Sequence, residues 1–189
     1  MALRGFGGLQ ALPVTVVPVF GTTLSAAAVI NPDQYTGLIA AGGSNKSSAV
    51  LSVANAGRFR DKDHVAIGTA AQFEQGNSVQ ADGGTVTAVS AAAGTITVQG
   101  LQRSHASGEF VVLAMPCAEF NIQVTSASNP VYLGEDPTVG LNSQTLIEEL
   151  TAVGTFSFGT SNIGNVLDTQ HLWLGGGTGV EFIPAFLTV

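Results

Sequence analysis

Thr85-Val86-Thr87-Ala88-Val89 and Thr95-Ile96-Thr97-Val98 stand on either side of Ala93-Gly94. In both runs hydroxyl and apolar side chains follow one another with a period near two, the spacing of a strand with one face in a core. The small residue and glycine between them are a turn signal. Similar runs recur outward along the chain: Val65-Ala66-Ile67, Phe110-Val111-Val112-Leu113, Phe120-Asn121-Ile122-Gln123-Val124, Val131-Tyr132-Leu133, Thr155-Phe156-Ser157-Phe158, Leu172-Trp173-Leu174 and Val180-Glu181-Phe182-Ile183. Several lie about 8–12 residues apart, the rhythm of a sandwich or barrel. Asp82-Gly83-Gly84, Gly134 and Gly175-Gly176-Gly177 read as further turns. These patterns predict an all-β fold of β-sandwich or barrel modules. At most two short helices interrupt it. One is capped by Asn142 or Ser143 and runs through Leu146, Ile147 and Leu150; the other spans Asp33 to Ala41, where Gly37 weakens it.

The chain is poor in charge. Its 189 residues carry 6 Lys+Arg and 13 Asp+Glu, 10% of the total, against roughly 25% in an ordinary soluble domain. Large neutral areas are left to face partners. Hydrophobic residues make up 45% and mean hydropathy is +0.35, which argues against intrinsic disorder. Six cations and a pI of about 4.6 argue against wrapping nucleic acid. No apolar run reaches the roughly 18 residues of a membrane-spanning helix. Cys117 is the single cysteine, so no internal disulfide forms.

Charge is also unevenly placed. Residues 1–103 hold all six cations and five acids, and residues 104–189 hold eight acids and no cation. With a boundary near Pro116-Cys117, the expected organisation is an extended N-terminal arm over 1–24, a β-rich module over 25–116 and a small β-sandwich over 117–189. Arg4 ahead of an apolar stretch and Ser25-Ala26-Ala27-Ala28 imitate a signal peptide. Gly5, Gly7, Gly8, Pro13 and Pro18 break the helix such a signal needs, so the segment reads as an arm or edge strand. Leu9, Leu12, Val14, Val16 and Phe20 are its apolar anchors for a neighbour, with a home-domain edge strand as the alternative. Arg58, Arg60 and Lys62 form the main cationic cluster: either a solvated turn or an ion contact with the acidic half of another copy.

No catalytic constellation emerges. His64, His105 and His171 lack the spacing of metal ligands and read as surface or turn histidines. Asp61-Lys62-Asp63 opens like a calcium loop but lacks its later ligands. Glu135-Asp136 and Glu148-Glu149 are adjacent pairs, which a strand points to opposite faces. Cys117 follows Pro116 without a nearby histidine to activate it and reads as a small buried apolar residue. Gly42-Gly43-Ser44-Asn45-Lys46-Ser47 lacks the glycine a phosphate loop places before its lysine. The glycines of 175–179 lead into another apparent strand, which is the wrong context for a dinucleotide site. A cofactor, a metal and a small-molecule substrate are therefore not expected, nor is enzymatic activity.

One stretch carries a resemblance. Ser48-Ala49-Val50-Leu51-Ser52-Val53-Ala54-Asn55-Ala56-Gly57-Arg58-Phe59-Arg60-Asp61-Lys62-Asp63-His64-Val65-Ala66-Ile67 resembles a module of tailed-bacteriophage virion proteins, in which a strand, a small-residue turn, a Phe and a charged turn ending in Asp precede the next strand. The likeness runs on through Thr85–Val89, Thr95–Leu101 and His105–Leu113. Lys62 departs from it, since a glycine commonly stands before that Asp. Phe120 through Gly134 and Leu172 through Phe182 also resemble small β-sandwich domains of capsid-associated proteins. The resemblance implies a structural protein of the virion, most simply a decoration or cement protein that binds the major capsid protein and its own copies. A head–tail connector, neck or tail component is the alternative, and a carbohydrate-binding surface module using Trp173 is a third reading.

Overall fold

The computed structural model describes residues 2–5, 16–30, 48–117, 119–124, 130–140, 142–159, 167–176 and 185–188. The fold is all-β. In chain order the strands are β1 (Ala2–Gly5), β2 (Val17–Pro18), β3 (Gly21–Thr23), β4 (Ser48–Ser52), β5 (His64–Gly68), β6 (Asp82–Ser90), β7 (Thr95–Gln99) and β8 (Phe110–Leu113). There follow β9 (Pro116–Cys117), β10 (Glu119–Val124), β11 (Val131–Gly134), β12 (Leu146–Leu150), β13 (Gly154–Gly159), β14 (Leu167–Asp168), β15 (Trp173–Gly176) and β16 (Ala185–Thr188). A four-residue helix, α1 (Ala70–Phe73), and two single 3-10 turns, Ala56–Arg58 and Thr169–His171, complete the described elements.

The chain divides into two compact units, Met1–Phe20 with Glu74–Gly76 and Met115–Val189, and Gly21–Phe73 with Asn77–Ala114. The second unit is a six-stranded antiparallel sheet in the order β3-β8-β5-β6-β7-β4. Leu24 pairs with Val53 just beyond the two outermost strands, and Ser25 N–H and Ala54 N–H donate to the carbonyls of Ser52 and Thr23 at 2.9 and 3.0 Å. The sheet is thus closed on itself at that end, removing the free edges of β3 and β4 there. Its interior is filled by Leu24, Leu51, Val53, Phe59, Val65, Ile67, Val86, Ile96, Val98, Leu101 and Val111, as in small barrels packed solid with side chains. At the β6–β7 hairpin, Gly94 takes φ 65°, the left-handed turn conformation that glycine adopts at least cost. The register shifts between Val86 and Ala88, which makes Thr87 the extra residue of a bulge, its hydroxyl donating to Thr97 carbonyl at 3.4 Å.

The first unit has two four-stranded sheets, β1-β16-β10-β13 and β12-β11-β15-β2, with a short β9–β14 pair. In β10, Phe120, Ile122 and Val124 are buried while Glu119 and Gln123 are exposed, the two-residue period read from the sequence. Phe20, just after β2, meets Phe120 of β10 edge to face with ring centroids 5.6 Å apart. Phe120 also stacks on Phe158 of β13 at 5.1 Å. The two sheets therefore share one aromatic core.

Four expectations need correction. Gly134 lies in β11 and Gly175-Gly176 in β15, paired across the sheet and not in turns. Leu146–Leu150 is a strand, pairing with β11 from Val131↔Leu150 to Gly134↔Leu146; a helix of that length is marginal in isolation, and sheet pairing prevails. Ser143 caps a turn there, its Oγ accepting from Thr145 N–H at 3.2 Å. Asp82-Gly83-Gly84 belongs to β6, not to a turn. A Cβ on Gly84 would stand 2.9 Å from Gln99 carbonyl and 3.1 Å from Leu101 Cδ2, so this glycine permits close packing inside the barrel. The segment 1–24 is not a free arm over its described residues: Ala2–Gly5 pairs with β16, Val17–Pro18 with β15 and Gly21–Thr23 with β8. The Asp33–Ala41 helix and the Val180–Ile183 strand lie outside the described residues.

Candidate functional site

The residues proposed to touch partners are scattered by the fold. Leu9, Leu12 and Val14 lie outside the described residues, and Val16 is half-buried. Phe20 is fully buried in its own core, so it anchors the home chain and not a neighbour. Removing residues 1–20 would take that ring away from Phe120.

The cationic cluster also separates. Arg58 is 8% exposed, and its guanidinium donates to the carbonyl of Gly21 in β3. Burial holds its pKa below the usual arginine value. It is a structural clamp, whereas Arg60 and Lys62 are exposed. Lys62 takes φ 72°, the conformation a glycine would accept without strain. The turn is held by Arg60 N–H to Asp63 Oδ2 at 2.8 Å, and by Lys62 N–H to Val86 carbonyl and Val86 N–H to Asp63 carbonyl, both at 2.8 Å. The turn thus keeps the geometry a glycine would favour although lysine fills the position.

The histidines differ from their expected surface placement in one case. His64 and His171 are exposed, but His105 is 3% exposed. Its Nδ1 lies 2.8 Å from Glu109 Oε2 and its Nε2 lies 3.3 Å from Asp82 Oδ2. Asp82 Oδ2 also accepts from the N–H groups of Gln102 and Arg103 at 2.7 and 3.1 Å. Both ring nitrogens face carboxylates, so neither is presented to a substrate as a base. The cluster ties the loop before β8 to the start of β6. His105 also exchanges backbone hydrogen bonds with Ala28, each 2.8 Å, pinning the segment after β3. The spacing His105-x-x-x-Glu109 around Gly108 was its only local sequence signal; Asp82 arrives from 23 residues away.

Two further groups prove structural. Cys117 is buried, and burial, with the Asp168 carboxylate adding, pushes its thiol up to about 12, which leaves almost no thiolate for nucleophilic chemistry. Trp173 is fully buried with Nε1–H donating to Gln170 carbonyl at 3.0 Å, so it offers no surface platform for a sugar ring. Among the described residues no group of three His, Cys, Asp or Glu is arranged to hold a metal ion, and no helix is long and apolar enough to cross a membrane.

What the second unit does present is an uncharged face. Core residues Ile96 and Val98 alternate along β7 with Thr95, Thr97 and Gln99, and Leu51 in β4 is flanked by Val50 and Ser52. Cross-strand pairing aligns Ala88, Thr97 and Val50 in one row and Ser90, Thr95 and Ser52 in the next. None of these residues is ionisable, and Val50 is 68% exposed. Neither a family model, nor a curated protein, nor a solved structure matches the chain. The functional reading therefore rests on the residues and their geometry.

Proposed function

We propose that this chain is a non-enzymatic structural protein of a tailed-phage virion, a decoration or cement protein that binds the major capsid lattice together with further copies of itself. The observation that carries this reading is the charge-free outer face of β4, β7 and β6. A chain of net charge −7 keeps apart from other acidic surfaces by repulsion, and a neutral Thr/Ser/Val face is where that repulsion is least. Repeated over a symmetric shell, modest contacts add through avidity without new chemistry.

The test is co-sedimentation of the protein with intact particles and its copy number by quantitative gel. Hundreds of copies per particle support a cement role; about a dozen would place it instead in a connector, neck or tail ring. Thr97→Asp puts a charge on the face without entering the core. It is expected to lower particle occupancy at unchanged thermal stability, and full occupancy would remove the face from the proposal.

A further inference from the structure

Two sheet edges meet at one groove in the first unit. β12 ends one sheet and β13 ends the other, and between them lies a groove of about 500 Å³ lined by Glu135, Leu146, Ile147, Glu148 and Phe156-Ser157-Phe158. That volume falls within the usual range of ligand-sized pockets. Leu146, Ile147 and Phe156 are half-buried while Phe158 is buried against Phe120, so apolar side chains share the open groove with the polar groups of Glu135, Glu148 and Ser157.

The two edges are not equivalent. β12 carries Glu148 and Glu149, and its register against β11 shifts so that Ile147 is an extra residue. Charges and bulges of this kind are how proteins blunt an edge against pairing. β13, Gly-Thr-Phe-Ser-Phe-Gly over 154–159, has neither charge, proline nor bulge, and pairs in unbroken register with β10 along its other side. Among the described residues no strand pairs with its outer edge. An added strand there continues the alternation of β13: side chains level with Phe156 and Phe158 enter the groove, and those level with Thr155 and Ser157 face solvent.

We propose that the outer edge of β13 and its groove bind an extended segment of another protein, with apolar side chains at alternate positions and a Lys or Arg at the end nearest Glu135 and Glu148. Backbone hydrogen bonds supply affinity and the groove supplies side-chain selection, the general mode of strand addition. Charge complementarity chooses the occupant. Glu135 and Glu148 stand at the rim, and no cation occurs anywhere in residues 104–189. A second copy brings a net charge of −7 to this acidic rim; a basic segment brings the opposite sign. The assignment does not depend on whether the protein works on a virion.

The experiment titrates the isotope-labelled full chain with a blocked synthetic octapeptide, Lys-Val-Thr-Val-Thr-Val-Thr-Lys, following amide and methyl NMR signals. The expected result is shifts confined to Gly154–Gly159 and the methyls of Leu146 and Ile147, with slowed amide exchange along β13. Replacing both peptide lysines by glutamate is expected to weaken binding about threefold or more, the scale of exposed ion pairs. Glu148→Lys, at an exposed position, is expected to abolish that preference while leaving the unbound spectrum otherwise native. The proposal is overturned by shifts located elsewhere, by equal binding of the two peptides, or by an unchanged preference in Glu148→Lys. It is overturned equally if sedimentation of the chain alone shows self-association that Ser157→Lys, on the solvent face of β13, leaves intact while the amides of β13 become protected, because a second copy then fills the edge.

Discussion

Leu24 and Val53 form one antiparallel pair, and this pair joins the first and last strands of a six-stranded sheet whose intervening strands are all hydrogen-bonded neighbours. Leu24 is 2% exposed and Val53 3%, so the junction is also part of the core. The bridge ties the two outermost strands of the curled sheet together at this end and covers their edges there.

Leu24→Ala is expected to cost about 3 kcal/mol, the scale of a large-to-small core change that leaves a cavity. Chemical denaturation measures it. Amide exchange should quicken at Ser25 and Ala54, whose bonds flank the pair, before it quickens at β5. Uniform acceleration throughout the sheet would show that closure at this point is not a separate structural feature.

Lys62→Gly is expected to raise stability by about 1 kcal/mol, because lysine there bears the left-handed backbone cost that glycine avoids. Thermal unfolding reads the change. The same variant lowers particle occupancy if the Lys62 ammonium contacts a partner, so stability and binding would move in opposite directions.

Arg58→Met keeps the buried stem but leaves the Gly21 carbonyl without its guanidinium donor. A loss of about 2 kcal/mol is expected, typical for a buried hydrogen bond to a charged group. A stability equal to wild type, with particle binding lost, would restore Arg58 to the surface role first expected of it.

His105→Ala removes the ring between Asp82 and Glu109, while Asp82 keeps the N–H groups of Gln102 and Arg103 and Glu109 that of Ala106, and is expected to destabilise the second unit by about 1.5 kcal/mol, the scale of a lost hydrogen bond to a charged group. Adding Asp82→Asn and Glu109→Gln to that variant should recover part of the loss. No recovery would mean that packing, not charge, explains His105.

Asp136 supplies the pH dependence. Burial pushes its carboxyl up, but hydrogen bonds from the side chain and backbone of Thr138, the backbone of Gln75 and the side chain of Thr145 outweigh it, leaving the pKa below the ordinary 3.8. A depressed folded value means stability that is present above the unfolded pKa and lost as pH falls through the folded one. The stability gap between wild type and Asp136→Asn is therefore expected to shrink below about pH 4. A gap that stays constant from pH 6 to pH 2 would remove the carboxylate from that account.

The strands were legible where their signal is local. The runs within β6, β7, β10 and β13 carry their own two-residue period, Phe110–Leu113 is a continuous apolar run of strand length, and the structure builds each of them. Elements whose identity depends on distant partners were not legible. Leu146–Leu150 has leucines at helical spacing and two glutamates, yet β11 recruits it as an edge strand. Gly83-Gly84 looked like a turn because glycine permits turns, but the barrel uses Gly84 for the space its missing side chain leaves. Arg58 looked like one of three surface cations until the fold placed the Gly21 carbonyl, 37 residues away in sequence, against it.

The sequence by itself determined that this is an all-β, charge-poor chain with its cations in the first half, because strand periodicity and composition are properties of neighbouring residues. Tertiary structure alone decided that the sheet is bridged at Leu24 and Val53, that His105 sits between two carboxylates, and that among the described residues no strand pairs with the outer edge of β13 while β12 carries a bulge. Those outcomes depend on which distant segments pair, and pairing is settled by packing and hydrogen bonding over the whole chain.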